Sequence, residues 1–193
     1  MSDLKAIDIT LKTGKEPFSF TERDLNFKLL DFWQWSQSDL LNNSLRGVLA
    51  EYIVKQDLGI ENTPRTEWDA FDLITKEGIK IEVKSSAYLQ SWTQKNLSSI
   101  SFNISPTMGW DANKNEYSTE TKRQSDFYIF CLLNHKDKKT VNPLKLEQWT
   151  FFILSTKILD REKTTQKTIT LKSLLKLNPA QCSFGNIKNL ITH

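Results

Sequence analysis

Histidine and cysteine are both scarce in this chain. The 193 residues include two of each; His193 is the last residue and His135 lies in a polar segment. Zinc sites and catalytic triads usually need histidine or clustered cysteine, so the composition argues against both kinds of site. Cys131 stands in an apolar stretch, and we therefore interpret Cys131 and Cys182 as free thiols and not as a disulfide.

The sequence also lacks a long apolar run and a strong net charge. No run approaches the roughly 18 residues of a membrane span, and Met1–Lys5 has no apolar signal core, which predicts a cytoplasmic protein without a membrane partner. The net charge of +3 neither requires nor excludes a nucleic-acid partner, because a local basic face matters more than the total.

Residues 71–86 have the pattern of a β-hairpin, and its turn decides what the hairpin can do. A three-residue turn ending at Gly78, with the glycine in the left-handed region, pairs Asp72 with Glu82. A two-residue turn instead pairs Asp72 with Val83 and puts the two carboxylates on opposite faces. The sequence favours the first register without excluding the second.

In the three-residue register, Asp72, Glu82 and Lys84 share one face of the hairpin, because side chains alternate along a strand. Two adjacent carboxylates suit a hard divalent cation, and the lysine adds a positive charge beside them. The opposite face is predicted to turn towards the core and carries Phe71, Leu73, Ile79, Ile81 and Val83.

Helical periodicity runs through residues 25–60 and predicts two helices. The first is rich in aromatic residues. The second covers about 44–57, with Asn43 or Ser44 as its N-terminal cap and Gly59 at its end. Its predicted buried stripe consists of Leu45, Val48, Leu49, Tyr52 and Ile53.

The remaining pattern predicts an α/β fold with a central mixed β-sheet flanked by helices. Strands are expected at 98–105, 126–133 and 149–154, a long loop at 106–125, a short helix at 171–177 and a last strand at 182–190. We expect one domain over residues 1–193, with a core at about 40–155, an N-terminal arm at 1–25 and a C-terminal cap at 156–193.

A glutamate on the second helix, an aspartate on a strand and a Glu-x-Lys on the next strand follow one another in this chain. These residues are Glu51, Asp72, Glu82 and Lys84. Their order and setting resemble the PD-(D/E)XK nuclease superfamily, also called restriction-endonuclease-like, over about residues 40–155. The sequence departs from that pattern at Phe71, where many members have proline.

The resemblance implies that Asp72, Glu82 and the main-chain carbonyl of Val83 bind one or two Mg²⁺ ions, for which Mn²⁺ can substitute. It implies that Glu51 completes the metal shell, through a water molecule. Lys84 would orient or deprotonate the attacking water, or stabilise charge on the phosphate oxygens. We favour the electrostatic role, because neighbouring carboxylates keep a lysine charged.

The expected function is that of a Mg²⁺-dependent DNA endonuclease of the restriction or repair type, acting as a homodimer or with a partner subunit. Two alternatives stay open: a non-catalytic DNA-binding or protein-interaction module on the same fold, and an RNA-directed nuclease. Residues expected to contact DNA are Ser85, Ser86, Trp92, Gln94 and Lys95.

Overall fold

The computed structural model describes residues 7–65, 70–111 and 116–191. The chain forms two compact units. The first contains residues 1–39 and 61–66, and the second contains residues 40–60 and 67–193. The predicted assignment of one domain to the whole chain stays a prediction.

The first unit consists of a β-hairpin followed by a helix. Its elements are β1 (Pro17–Phe20), β2 (Arg23–Lys28) and α1 (Leu29–Ser36). Thr21 and Glu22 both have positive φ, as a tight two-residue hairpin turn requires. The helix predicted from residue 25 was wrong over its first turn, since residues 25–28 belong to β2. Residues 1–6 of the predicted arm lie outside the described residues.

The second unit is built on a five-stranded mixed sheet, which confirms the predicted α/β class. Its elements are α2 (Asn43–Leu58), β3 (Leu73–Ile74), β4 (Lys80–Ala87), β5 (Ser101–Asn103), β6 (Thr107–Asp111), β7 (Glu116–Lys122), β8 (Phe127–Leu133), β9 (Trp149–Ser155), α3 (Thr156–Glu162), β10 (Thr168–Thr170), α4 (Leu171–Leu175) and β11 (Ala180–Cys182). The strand order is β11-β9-β8-β4-β3; β4 and β8 are parallel, and the other neighbouring pairs are antiparallel.

Apolar side chains cover both faces of this sheet. Ile81 and Val83 of β4 belong to one core cluster, together with residues of α2. Tyr128 and Phe130 of β8 belong to a second cluster, which β5 and β10 help to form. This double coverage explains why β8 and β9 are almost continuously apolar in sequence.

A polar side chain caps the start of helix α2, and a glycine follows its end. The Asn42 side chain accepts hydrogen bonds from the amides of Ser44 and Leu45, and Gly59 closes the helix in the left-handed region. The predicted cap was therefore wrong by one residue. The predicted stripe was wrong in part: Ile53 is buried and Leu49 packs against the core, but Val48 and Tyr52 are exposed. The buried residues of the helix are Arg46, Ala50, Ile53, Val54, Lys55 and Leu58.

Two predictions outside the central sheet were also wrong. Strands β6 and β7, at residues 107–111 and 116–122, pair antiparallel within a stretch where a long loop was expected. The last strand ends at Cys182, and residues 188–190 form a 3₁₀ turn. Both cysteines are free thiols, as predicted, and Cys131 is buried. Within the described ranges, no helix combines the length and the apolar character needed to cross a membrane.

Arg46 joins α2 to the end of β4 from a nearly buried position, with 4% of its surface exposed. Its guanidinium donates to the Ser85 hydroxyl at 3.2 Å, to the Leu41 carbonyl at 2.9 Å and to the Asn43 side chain at 2.8 Å. A longer bond of 3.4 Å reaches Gln90. These contacts fix the helix that carries Glu51 against the strand that carries Lys84.

We expect Arg46→Met to lower the free energy of unfolding by about 2 kcal/mol, because it leaves buried acceptors without a donor. Urea denaturation measures the effect. Arg161→Met is the matched control: the Arg161 side chain is 73% exposed, so its loss should change the free energy of unfolding by less than about 0.5 kcal/mol. Equal losses in the two variants would contradict this role for Arg46.

Candidate active site

The hairpin has the three-residue turn, so the register that brings the carboxylates together is confirmed. Leu73 pairs with Ile81, and the Thr75 amide donates to the Ile79 carbonyl at 2.9 Å. Gly78 has a φ of 86°, a conformation that an L side chain rarely adopts. The alternative two-residue turn was wrong.

Asp72 is held against β4 by both its main chain and its side chain. Its amide donates to the Ile81 carbonyl at 3.0 Å, and its Oδ2 accepts from the Val83 amide at 2.7 Å. The carboxylate therefore lies beside the main chain of Val83, directly before the point where β3 begins. The resemblance to the PD-(D/E)XK superfamily implies that Asp72 and the Val83 carbonyl act together, and this role stays a prediction.

Glu82 and Lys84 form an ion pair on the same strand. The Lys84 Nζ lies 2.5 Å from Glu82 Oε1, and the two side chains are 27% and 19% exposed. Both groups are thus accessible from solvent but largely surrounded by protein, where charges interact more strongly than they do in water.

Asp72 is difficult to ionise in these surroundings. Burial, and then the negative charge of Glu82, raise the pKa of Asp72 to about 7, and Glu51 adds to the effect. The ammonium of Lys84 and the hydrogen bond from Val83 act in the opposite direction. Mutual repulsion among carboxylates is relieved when a cation binds between them.

Lys84 remains positively charged at neutral pH. Burial is the largest influence on its pKa and lowers it, but the carboxylates of Glu82 and Asp72 outweigh burial and leave the pKa raised. A raised pKa keeps the amine protonated, so Lys84 is suited to stabilise negative charge and not to accept a proton.

Glu51 approaches the cluster from α2. Its charge raises the pKa of both Asp72 and Lys84, which places it near the hairpin carboxylates. Within residues 7–65, 70–111 and 116–191, no three His, Cys, Asp or Glu side chains are close enough together to hold a metal ion. A metal shell made only of side chains is therefore not assembled there.

The residues present nevertheless fit Mg²⁺. This cation is commonly bound by one or two carboxylates and keeps several water ligands. Asp72 and Glu82 supply two oxygen donors on paired segments, beside the Val83 main chain. Burial, and then the charge of Glu82, raise the pKa of Asp72, and a cation held by both carboxylates would offset their repulsion.

Tyr128 borders the cluster and was missed by the sequence reasoning. It is the β8 partner of Glu82 in the parallel ladder and is 3% exposed. Burial, followed by the charge of Glu82, raises the pKa of its phenol. No local signal could have identified it, because the register between two strands 46 residues apart in the chain is a property of the fold.

The residues predicted to contact DNA fall into two groups. Ser85, Ser86 and Gln94 are buried or half-buried, and the side chains of Ser85 and Gln94 are engaged within the protein. Trp92 and Lys95 are exposed on the segment that follows β4. Their contact with DNA stays a prediction.

A comparison with known protein families gave a matching family model. The model of the family described as Bacteriophage T4 endonuclease IV matches residues 18–173. That range includes every residue of the candidate cluster. A search of the curated proteins gave no match.

Proposed function

Because this chain belongs to the Bacteriophage T4 endonuclease IV family, we propose that it is a Mg²⁺-dependent DNA endonuclease of the restriction or repair type. The observation that carries the proposal is the cluster of Asp72, Glu82 and Lys84 on one face of the hairpin. We further propose that this cluster is the catalytic site of a PD-(D/E)XK nuclease.

The residues of the cluster would have different roles in hydrolysis. Asp72 and Glu82 would hold the cation, with the Val83 carbonyl beside them and Glu51 acting through a water molecule. When bound, the cation polarises the phosphate and lowers the pKa of water. Mn²⁺, which also accepts oxygen ligands, is expected to substitute for Mg²⁺.

Lys84 supplies the fixed positive charge. Water adds to phosphorus, one P–O bond breaks, and the departing oxygen takes up a proton. Negative charge on the phosphate oxygens grows along this path, and an ammonium group already held in place stabilises it without reorganising. The ion pair with Glu82 holds Lys84 in position for that role.

The proposal is tested by incubating the purified protein with end-labelled DNA, and with RNA of the same sequence, in Mg²⁺ and in EDTA. We expect internal cuts in DNA that require Mg²⁺. Cleavage of RNA alone would assign the RNA-directed alternative. Binding of DNA without cleavage in Mg²⁺ or Mn²⁺ would favour the non-catalytic module. Cleavage that persists in EDTA would contradict a metal-dependent site.

A further inference from the structure

A group of lysine and aromatic side chains lies at the edge of the sheet where β4 and β8 both end. Because these strands are parallel and Ala87 pairs with Leu133, the segments that follow them emerge side by side. We call this group the basic–aromatic patch. It consists of Tyr88, Trp92, Lys136, Lys138 and Lys139.

Two contacts hold the segments of the patch together. The Lys136 ammonium lies 4.6 Å from the centre of the Tyr88 ring, in cation–π geometry. Lys138 donates a hydrogen bond to the main-chain carbonyl of Trp92. Lys136 and Lys138 therefore each stand beside an aromatic residue, and all three lysines of the patch are exposed.

The segment that carries Trp92 is organised by two glutamines. The amide of Gln90 donates to Gln94 Oε1 at 2.7 Å, and Gln94 Nε2 donates to the Ser98 hydroxyl at 3.1 Å. Gln90 is itself buried. The Trp92 side chain is nonetheless 52% exposed, so a large apolar ring is presented to solvent on a fixed segment.

The patch has an excess of positive charge. Asp137 is the one acidic residue between Asn134 and Lys145. Its carboxylate accepts hydrogen bonds from the Lys139 amide at 3.0 Å and from the Thr140 hydroxyl at 2.8 Å, so it serves to shape the loop. The lysines are left facing solvent, as a polyanion would require.

The patch continues the face that carries the candidate active site. Glu82, Lys84 and Tyr88 are separated by even numbers of residues, and Tyr88 packs against the core cluster on that side of the sheet. Tyr88 directly follows β4 and is four positions along the chain from Lys84, which corresponds to about 13 Å of extended chain. A strand that is cut beside Lys84 reaches the patch within a few nucleotides.

We infer that the basic–aromatic patch binds the nucleic-acid strand that leads into the active site. Lys136, Lys138 and Lys139 contact its phosphates, and Trp92 stacks on a base. Phosphate contacts supply most of the affinity for any sequence, whereas stacking tolerates every base. This inference rests on the proposed function and assigns to it a binding surface apart from the catalytic residues.

The test measures binding of a labelled DNA oligonucleotide by fluorescence anisotropy in EDTA, so that no cleavage occurs. One variant combines Lys136→Ala with Lys138→Ala. Two others carry a single substitution each, Trp92→Ala and Trp92→Phe. The control, Lys172→Ala combined with Lys176→Ala, removes the same charge from exposed positions on α4 and directly after it.

We expect the patch lysine pair to weaken binding about tenfold and to lower the slope of log affinity against log salt by about 1.5, as two lost phosphate contacts predict. Trp92→Ala should weaken binding about fivefold or more, and Trp92→Phe should restore most of the loss. The control pair should bind almost as the wild type does. Equal losses in the two lysine pairs, or an unaffected Trp92→Ala, would overturn the inference.

Failure of this inference can be told from failure of the proposed function. If the wild type cuts DNA in Mg²⁺ but the patch variants bind DNA normally, the inferred role of the patch is wrong and the proposed nuclease function is unaffected. If the wild type never cuts DNA and the patch variants lose DNA binding, the inferred role of the patch is right and the chain is a DNA-binding module. A patch that holds an acidic protein partner instead would leave DNA binding unchanged in all variants.

Discussion

Lys84→Ala is expected to lower the rate of DNA cleavage by at least about 100-fold, with little change in DNA affinity. Lys84 is kept protonated by Glu82 and Asp72, so its loss removes the positive charge that faces the phosphate as negative charge develops. Single-turnover cleavage of a labelled oligonucleotide measures the rate, and anisotropy in EDTA measures the affinity.

Two further variants separate the charge from other effects of the substitution. Lys84→Arg keeps a cation on the strand and should recover part of the lost rate. Lys80→Ala removes an exposed lysine from the same strand, one that lies 5.2 Å from the Phe71 ring, and should cleave nearly as the wild type does. If Lys84→Ala kept more than about a tenth of the wild-type rate, Lys84 would have no catalytic role of this size.

Asp72→Asn is expected to abolish metal-dependent cleavage and at the same time to make the metal-free protein more stable at pH 8. The pKa of Asp72 is raised to about 7 in the folded protein. The folded state therefore holds this proton more tightly than the unfolded chain does, and stability is lost as pH rises from about 4 to about 7. Asparagine keeps an acceptor for the Val83 amide and carries no charge.

We expect the gain to be about 1–3 kcal/mol at pH 8 and to vanish near pH 3, where Asp72 is mostly protonated in both states. Thermal unfolding in EDTA at both pH values measures it. Asp126→Asn is the control, because its exposed carboxylate also accepts a main-chain hydrogen bond, from the Lys80 amide at 2.9 Å, outside the cluster. A variant less stable than the wild type at pH 8 would show that Asp72 is a structural residue.

The arrangement of the hairpin could be predicted because its determinants are local. One glycine at the turn and alternation along two strands favour the register that puts Asp72, Glu82 and Lys84 on one face, and the structure confirms that register. Residues 127–133 and 149–155 were predictable as central strands because a sheet covered on both faces needs apolar residues throughout.

The predictions that were wrong concern features that depend on contacts between residues distant in the sequence. Helix α2 offers two overlapping apolar stripes that share Ile53, and only packing against the sheet decides which one is buried. The β6–β7 hairpin is a largely exposed ribbon with mostly polar residues, so its few apolar residues do not form the long alternating pattern of a half-buried strand. The catalytic roles, the Mg²⁺ requirement and the expected homodimer or partner subunit stay predictions.

The most direct measurement is cleavage of supercoiled plasmid by the wild type and by Glu82→Gln, each in Mg²⁺ and in EDTA. Glutamine keeps the size of the Glu82 side chain but removes the charge that pairs with Lys84 and serves the cation. We predict that the wild type nicks the plasmid in Mg²⁺ but not in EDTA, and that Glu82→Gln does not nick it in either condition. Equal nicking by both proteins in Mg²⁺ would contradict a nuclease site at Asp72, Glu82 and Lys84.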